Sequence, residues 1–155
     1  MTSSQQFCTF TLDRYFFGVE VHRVQEVIRY QDMTRVPIAP AEVSGLINLR
    51  GQIVTALDLR RRLGLAPRPD GALPMNVVAR TEEGVVSFLV DEIGDVLEVS
   101  PDLLERPPEN LDRSVHGLLT GVYKLEGRLL LVLDSERAAE VSAAPLRTNH
   151  SGALQ

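Results

Sequence analysis

The chain has little of what would tie it to most function classes. Among its 155 residues there is one cysteine, Cys8, and no tryptophan. A lone thiol closes no intramolecular bridge and builds no thiolate metal cluster, which disfavours a disulfide-framed secreted protein and fits a reducing cytosol. Cys8 itself reads as a small core residue. No run approaches the roughly 20 apolar residues that a membrane-spanning helix needs; the densest stretch is Leu129-Leu130-Leu131-Val132-Leu133. Met1 to Gln6 carry no basic residue and no apolar segment, so no secretory signal and a cytoplasmic location are expected. Lysine is scarce as well, Lys124 being the only one among 16 basic residues. A net charge of -5 argues against a general nucleic-acid binder, whose phosphate contacts need clustered cations.

Signs of catalysis are also missing. His22, His116 and His150 fall in no metal-ligand spacing, so no metal is expected, and there is no nucleophile elbow, Walker loop or dinucleotide-binding glycine pattern. Asp58 and Asp134 suggest a paired-carboxylate site, but each opens a short helix, so capping is the simpler role. Cys8 and His22 have nothing around them to activate a thiolate. The run Arg60-Arg61-Arg62 reads as three solvated arginines on a surface turn, with Leu59 and Leu63 facing inward.

What is present is a chain of average composition, 44% hydrophobic, long enough to bury roughly 70% of its unfolded surface without staples. Its charge is uneven. Residues 1–72 hold nine basic and seven acidic residues, and residues 73–155 hold seven and fourteen, giving +2 and -7. Two halves with different electrostatic faces suit different partners.

Hydrophobic alternation predicts a hairpin, with Cys8, Phe10 and Leu12 against Thr9 and Thr11, a break at Asp13-Arg14, then Phe17, Val19 and Val21 on one face. Val24, Val27 and Ile28 stand at i, i+3 and i+4, which predicts a short helical turn over Val24 to Arg29. Pro40 and the shared face of Val43, Leu46 and Ile47 predict a second one, Glu42 to Ile47. Two apolar segments flank Arg50-Gly51, a tight-turn signal. Asp58 is a candidate N-cap for Leu59 to Leu63, with Gly64 as the stop. Residues 66–74 read as irregular. Strands resume at Met75 to Ala79 and Val85 to Val90. Ser100-Pro101 opens another short helix, and Arg106 to Ser114 is a loop.

The chain also repeats itself. Val21, Val24, Glu26, Val27 and Ile28 are matched by Val90, Ile93, Asp95, Val96 and Leu97 at a shift of 69. Gly45, Leu49, Gly51, Leu57 and Asp58 recur as Gly121, Leu125, Gly127, Leu133 and Asp134 at a shift of 76. Two similar small β-barrels, packed or interlaced around a shared core with short helices, are the expected architecture. The expected organisation is a flexible start over residues 1–6, one domain over 7–141 made of subdomains near 7–72 and 73–141 with strand exchange left open, and a flexible tail over 142–155.

Equal scaffolds should differ where function differs. At the turn, Arg50 in the first half meets Glu126 in the second, and Asn48 corresponds to Lys124. Arg50 is either a freely varying turn residue or the mark of a protein-docking edge, with Asn48 and Gly51 supporting the turn. Glu26, flanked by Val24 and Val27, is either an ordinary solvated acid or the polar rim of an apolar docking patch.

At these residues a family likeness emerges. Phe17-Gly18-Val19-Glu20-Val21, Val24-Gln25-Glu26-Val27, Leu46 to Val54 with Asn48-Leu49-Arg50-Gly51 at its centre, and Leu57-Asp58-Leu59-Arg60 resemble the CheW family of chemotaxis coupling proteins. So do Phe88-Leu89-Val90-Asp91, Asp95-Val96-Leu97, Leu119-Thr120-Gly121 and Leu129 to Leu133, so the likeness runs from about Phe7 to Val141. The resemblance implies a mainly β fold of two SH3-like five-stranded barrels, no catalysis and no cofactor. It implies a scaffold that binds the regulatory domain of a CheA-type histidine kinase and the cytoplasmic tip of chemoreceptors, recruited to membrane-associated receptor arrays without membrane insertion. It assigns receptor contact to Val24, Glu26, Val27 and Arg50, and to Val96 in the repeat-equivalent short helix around Asp95-Val96-Leu97, and assigns no kinase-contact residues. Where relatives often carry a proline this chain has Thr55, which leaves a non-flagellar chemosensory pathway, such as surface sensing, as the alternative role.

Overall fold

The computed structural model describes residues 4–140. Its strands are β1 (Gln5–Leu12), β2 (Tyr15–Glu20), β3 (Val24–Ile28), β4 (Val43–Leu49), β5 (Gln52–Asp58), β6 (Met75–Thr81), β7 (Gly84–Val90), β8 (Glu92–Val99), β9 (Leu119–Leu125) and β10 (Arg128–Leu133). The helices are short: α1 (Leu59–Arg62), α2 (Arg113–His116) and α3 (Ser135–Ala139), with 3-10 turns at Val21–Arg23 and Pro101–Leu103. The mainly β expectation is met, as are the predicted hairpins and the short helix after Ser100.

Two five-stranded sheets form, in the orders β8-β1-β2-β10-β9 and β3-β6-β7-β5-β4. Each takes its middle hairpin from the opposite half of the sequence, so the interlaced arrangement is the one adopted. Two parallel pairings stitch the halves together, β2 with β10 through Phe17 opposite Leu131, and β5 with β7 through Leu57 opposite Phe88. The second sheet is continuous in sequence, whereas the first is assembled from both ends of the described chain.

Period-two alternation explains how one chain fills three cores. Phe10, Leu12, Phe17 and Val19 of the first sheet meet Leu57, Val77, Ala79, Phe88 and Val90 of the second in the shared core. The intervening residues Ile47, Leu49, Val54, Ala56, Val78 and Leu89 line the other face of the second sheet. Phe7, Phe16, Tyr123, Leu130 and Val132 do the same in the first. Each outer cluster is enclosed because its sheet curls. The chain after β3 bridges back to β4 at Thr34 and Leu46, and the chain after β8 bridges back to β9 at Glu105 and Val122. Gly45 and Gly121 permit this approach. A Cβ on Gly45 would lie 2.7 Å from the Thr34 carbonyl oxygen, and one on Gly121 2.8 Å from that of Glu105.

Three segments expected as short helices are strands. Val24 to Ile28 is β3, Glu42 to Ile47 lies largely in β4, and Asp95-Val96-Leu97 lies in β8. The cause is shared: each of these strands carries an extra residue against its partner, at Val24/Glu26, at Val43/Gly45, and opposite Cys8/Phe10. A bulge breaks the two-residue period, and the resulting apolar spacing imitates a helix turn. Gln5 and Gln6, expected in a flexible start, pair in β1 with Val99 and Glu98 of β8, a partner more than ninety residues away that no local signal reveals. Thr9, expected on a solvent face, is buried and its hydroxyl donates to the Asp95 carbonyl at 2.5 Å. The last residues of the expected loop Arg106 to Ser114 begin α2. The expected tail 142–155 lies outside the described residues.

The arginine run is corrected as well. Arg60 is only 7% exposed. Its Nε and Nη2 donate to the two oxygens of Asp91 at 3.0 and 2.7 Å, and Arg68 Nε adds a third bond at 3.1 Å. A guanidinium buried this way is held by a bidentate carboxylate rather than by water.

Candidate functional site

The catalytic alternatives close first. Asp58 accepts the Arg60 backbone N–H at 3.0 Å, and Asp134 accepts those of Glu136 and Arg137 at 3.1 and 3.2 Å, so both are helix caps. Burial pushes the Cys8 thiol up, the opposite of what an activated nucleophile needs. Among the described residues no group of three or more His, Cys, Asp or Glu side chains could hold a metal ion.

What remains is an arrangement at the open edges of the second sheet. In a flat five-stranded sheet the outer strands β3 and β4 would lie roughly 19 Å apart, four strand spacings. Here Glu26 of β3 and Arg50, at the tip of the β4–β5 hairpin, form a hydrogen-bonded ion pair. The curl therefore brings sequence-distant charges together. Arg50 and Gly51 both have positive φ, 53° and 91°, the geometry of a two-residue hairpin turn that matches strand twist. Asn48 Oδ1 accepts the Gly51 N–H at 2.8 Å and holds the turn. Arginine is an uncommon choice for a left-handed backbone position. What it gains there is a side chain 71% exposed, reaching over the sheet edge toward Glu26.

The Arg50 guanidinium holds the Glu26 carboxyl below the usual carboxylate range, so the pair is charged at neutral pH. Beside Glu26 on β3, Val27 is 37% exposed, while Val24 is half-buried and packs against the shared core. Val24, Glu26 and Val27 on β3 and Arg50 at the β4–β5 tip thus belong to one sheet. Val96 does not join them: it is 56% exposed, but on β8 at the edge of the other sheet.

The sequence reading missed Ile53, which is 59% exposed in the same hairpin as Arg50. Alternation against the buried Val54 was the signal that could have found it. Val27, on the opposite face of β3 from Glu26, and Ile53 leave exposed β-branched side chains on the sheet that carries the ion pair, a combination of apolar area and fixed charge suited to binding a protein segment.

Comparison with known proteins agrees along the chain. The family described as CheW-like domain matches residues 6–142. The "Chemotaxis protein CheW" of Klebsiella aerogenes is 31% identical over 136 residues, covering 88% of this chain and 82% of that one. The "Chemotaxis protein CheW" of Thermotoga maritima is 31% identical over 132 residues, covering 85% of each. The crystal structure of the scaffolding protein TtCheW from Thermoanaerobacter tengcongensis superposes with a TM-score of 0.79 at 23% identity, covering 92% of this chain and 90% of that one.

Proposed function

This chain belongs to the CheW-like domain family of non-catalytic chemotaxis scaffolds, and from that premise we propose that it couples chemoreceptor tips to the regulatory domain of a CheA-type histidine kinase. Among the described residues no helix is long and apolar enough to cross a membrane. The protein acts from the cytoplasm and reaches membrane-associated arrays through its partners.

The observation that supports this reading best is the Glu26–Arg50 pair on the same sheet as the exposed Val27 and Ile53. A receptor tip presents an amphipathic helix, and an apolar edge with fixed charges of both signs suits it: the valines and isoleucine supply buried area, and the ion pair sets orientation. Arg50 and Val27 are exposed in the isolated chain, so the surface is open before a partner arrives.

Arg50→Glu tests the assignment. It opposes two carboxylates at the rim while touching no buried group, so the urea midpoint stays at the wild-type value and recovery of receptor fragments in a pull-down is lost. A folded Arg50→Glu protein that retains receptor at wild-type levels would overturn the assignment.

A further inference from the structure

The chain crosses between its sheets twice, and both crossings are fastened by a carboxylate, an arginine and a hairpin-turn N–H. At the passage from β7 to β8, Asp91 accepts the Asp13 N–H of the β1–β2 turn at 2.8 Å and the guanidinium of Arg60 from α1. At the passage from β2 to β3, Arg23 donates to Glu136 of α3 at 2.7 Å. Glu136 also accepts the Glu82 N–H of the β6–β7 turn, at 3.1 and 3.2 Å. The repeat shifts relate the parts, since Asp13 corresponds to Glu82 at 69 and Arg60 to Glu136 at 76. The crossing residues differ by one position, Asp91 corresponding to His22 and Arg23 to Glu92, so the two clamps occupy adjacent places with their charges exchanged. In one the crossing residue is the acid and the helix supplies arginine; in the other the crossing residue is arginine and the helix supplies the acid.

Their settings differ. Arg60 and Asp91 are largely buried, whereas Arg23 and Glu136 are half-exposed. The 3-10 turn that ends at Arg23 has no buried residue and no side-chain cap. Within the turn no apolar side chain is fully buried, and the next residue, Val24, packs against the shared core and begins the strand that carries Glu26 and Val27. Besides the ladder to β6 and the packing of Val24, the polar contacts near it include those of Arg23 with Glu136 and Glu20, of His22 with Glu20, and the Arg80 bonds to the His22 and Val24 carbonyls.

We propose that Arg23 and Glu136 are positioning residues for the docking edge, through which α3 at the far end of the chain sets the pose of β3. The proposal rests on the docking reading above and deepens it: the edge is held from a helix that never touches the partner.

The buried clamp suggests the control, because at the related crossing a carboxylate, an arginine and a turn N–H join with the opposite polarity. Four proteins are compared: wild type, Arg23→Glu, Glu136→Arg, and the double variant that gives the crossing the Asp91–Arg60 arrangement. Amide exchange is read on β3 and β8, and binding of a receptor-tip fragment in parallel. In each single variant, exchange across β3 rises about fivefold while β8 stays within about twofold, and fragment binding weakens about fivefold. The double variant returns all three readouts to within about twofold of wild type. A double variant as loose as the singles, or singles that loosen β8 as much as β3, would overturn the positioning role. Wild type that binds no receptor fragment would instead overturn the docking reading, and the exchange pattern alone would then decide for or against the clamp.

Discussion

The two sheets are built to one plan and differ in how they spend charge at their edges. In the second sheet Glu26 and Arg50 join the outer strand to the hairpin tip. Their counterparts in the first sheet, Asp95 and Glu126, are both acidic, so no such pair can form there. That sheet instead ties its edge nearby, with Lys124 of β9 at 3.4 Å from Glu105 in the segment that bridges back to it. Duplication thus conserved what a curled sheet needs, namely the close-approach glycine, the tight turn and the helix cap, and left the edge charges free to diverge. The first half keeps a pair of opposite charges and exposed β-branched side chains on one sheet, while the second half carries the excess of acid.

The contrast between the two crossings is the most sensitive point. Asp91→Asn leaves the Arg60 and Arg68 guanidiniums without their carboxylate and should cost about 3 kcal/mol in urea denaturation. Glu136→Gln at the half-exposed crossing should cost less than about 1 kcal/mol. Equal losses would mean that burial does not distinguish the clamps. Burial pushes the Asp91 carboxyl up, but bonds from Arg60 and the Asp13 N–H, with Arg68 nearby, hold it net below the usual range. A depressed folded pKa gives stability that is complete above the unfolded value and is lost as pH falls through the folded one. Wild type should therefore lose the clamp's contribution below about pH 4, and Asp91→Asn should have a flatter stability profile there.

The shared plan predicts equal effects at the next level. Gly45→Ala and Gly121→Ala each drive a methyl group into a bridging carbonyl, and each should cost about 2 kcal/mol. A cost confined to one of them would show that only one sheet depends on its closing bridge. The caps come last. Asp58→Ala and Asp134→Ala should each cost about 1 kcal/mol by thermal denaturation, with Asp134 the larger because it accepts two backbone N–H groups rather than one.

Much of this was legible from short-range signals. The hairpin turns, the Asp caps and the Arg50-Gly51 tip need only neighbouring residues to declare themselves, and each stands where the sequence places it. Of the candidate site, Glu26, Val27 and Arg50 were legible as types, but the meeting of Glu26 with Arg50 was not: residues 24 apart are joined only when the sheet curls. The helix misreadings at β3, β4 and β8 come from bulges, which destroy the period that identifies a strand. The burial of Arg60 was invisible for another reason. Three consecutive arginines look solvated until a carboxylate 31 residues away is folded against the first of them.

The interlaced topology has a consequence for how the protein is made. Every strand of the second sheet lies between Val24 and Val90, so that sheet has all its parts once residue 90 has left the ribosome. The first sheet must wait for β10, with the β1–β2 hairpin emerging first and finding its parallel neighbour last. Vectorial synthesis therefore favours completion of the sheet bearing Glu26 and Arg50 ahead of the other, and the early hairpin spends most of translation with Phe16 and Phe17 unsheltered, a window in which chaperone capture and misassembly compete with folding.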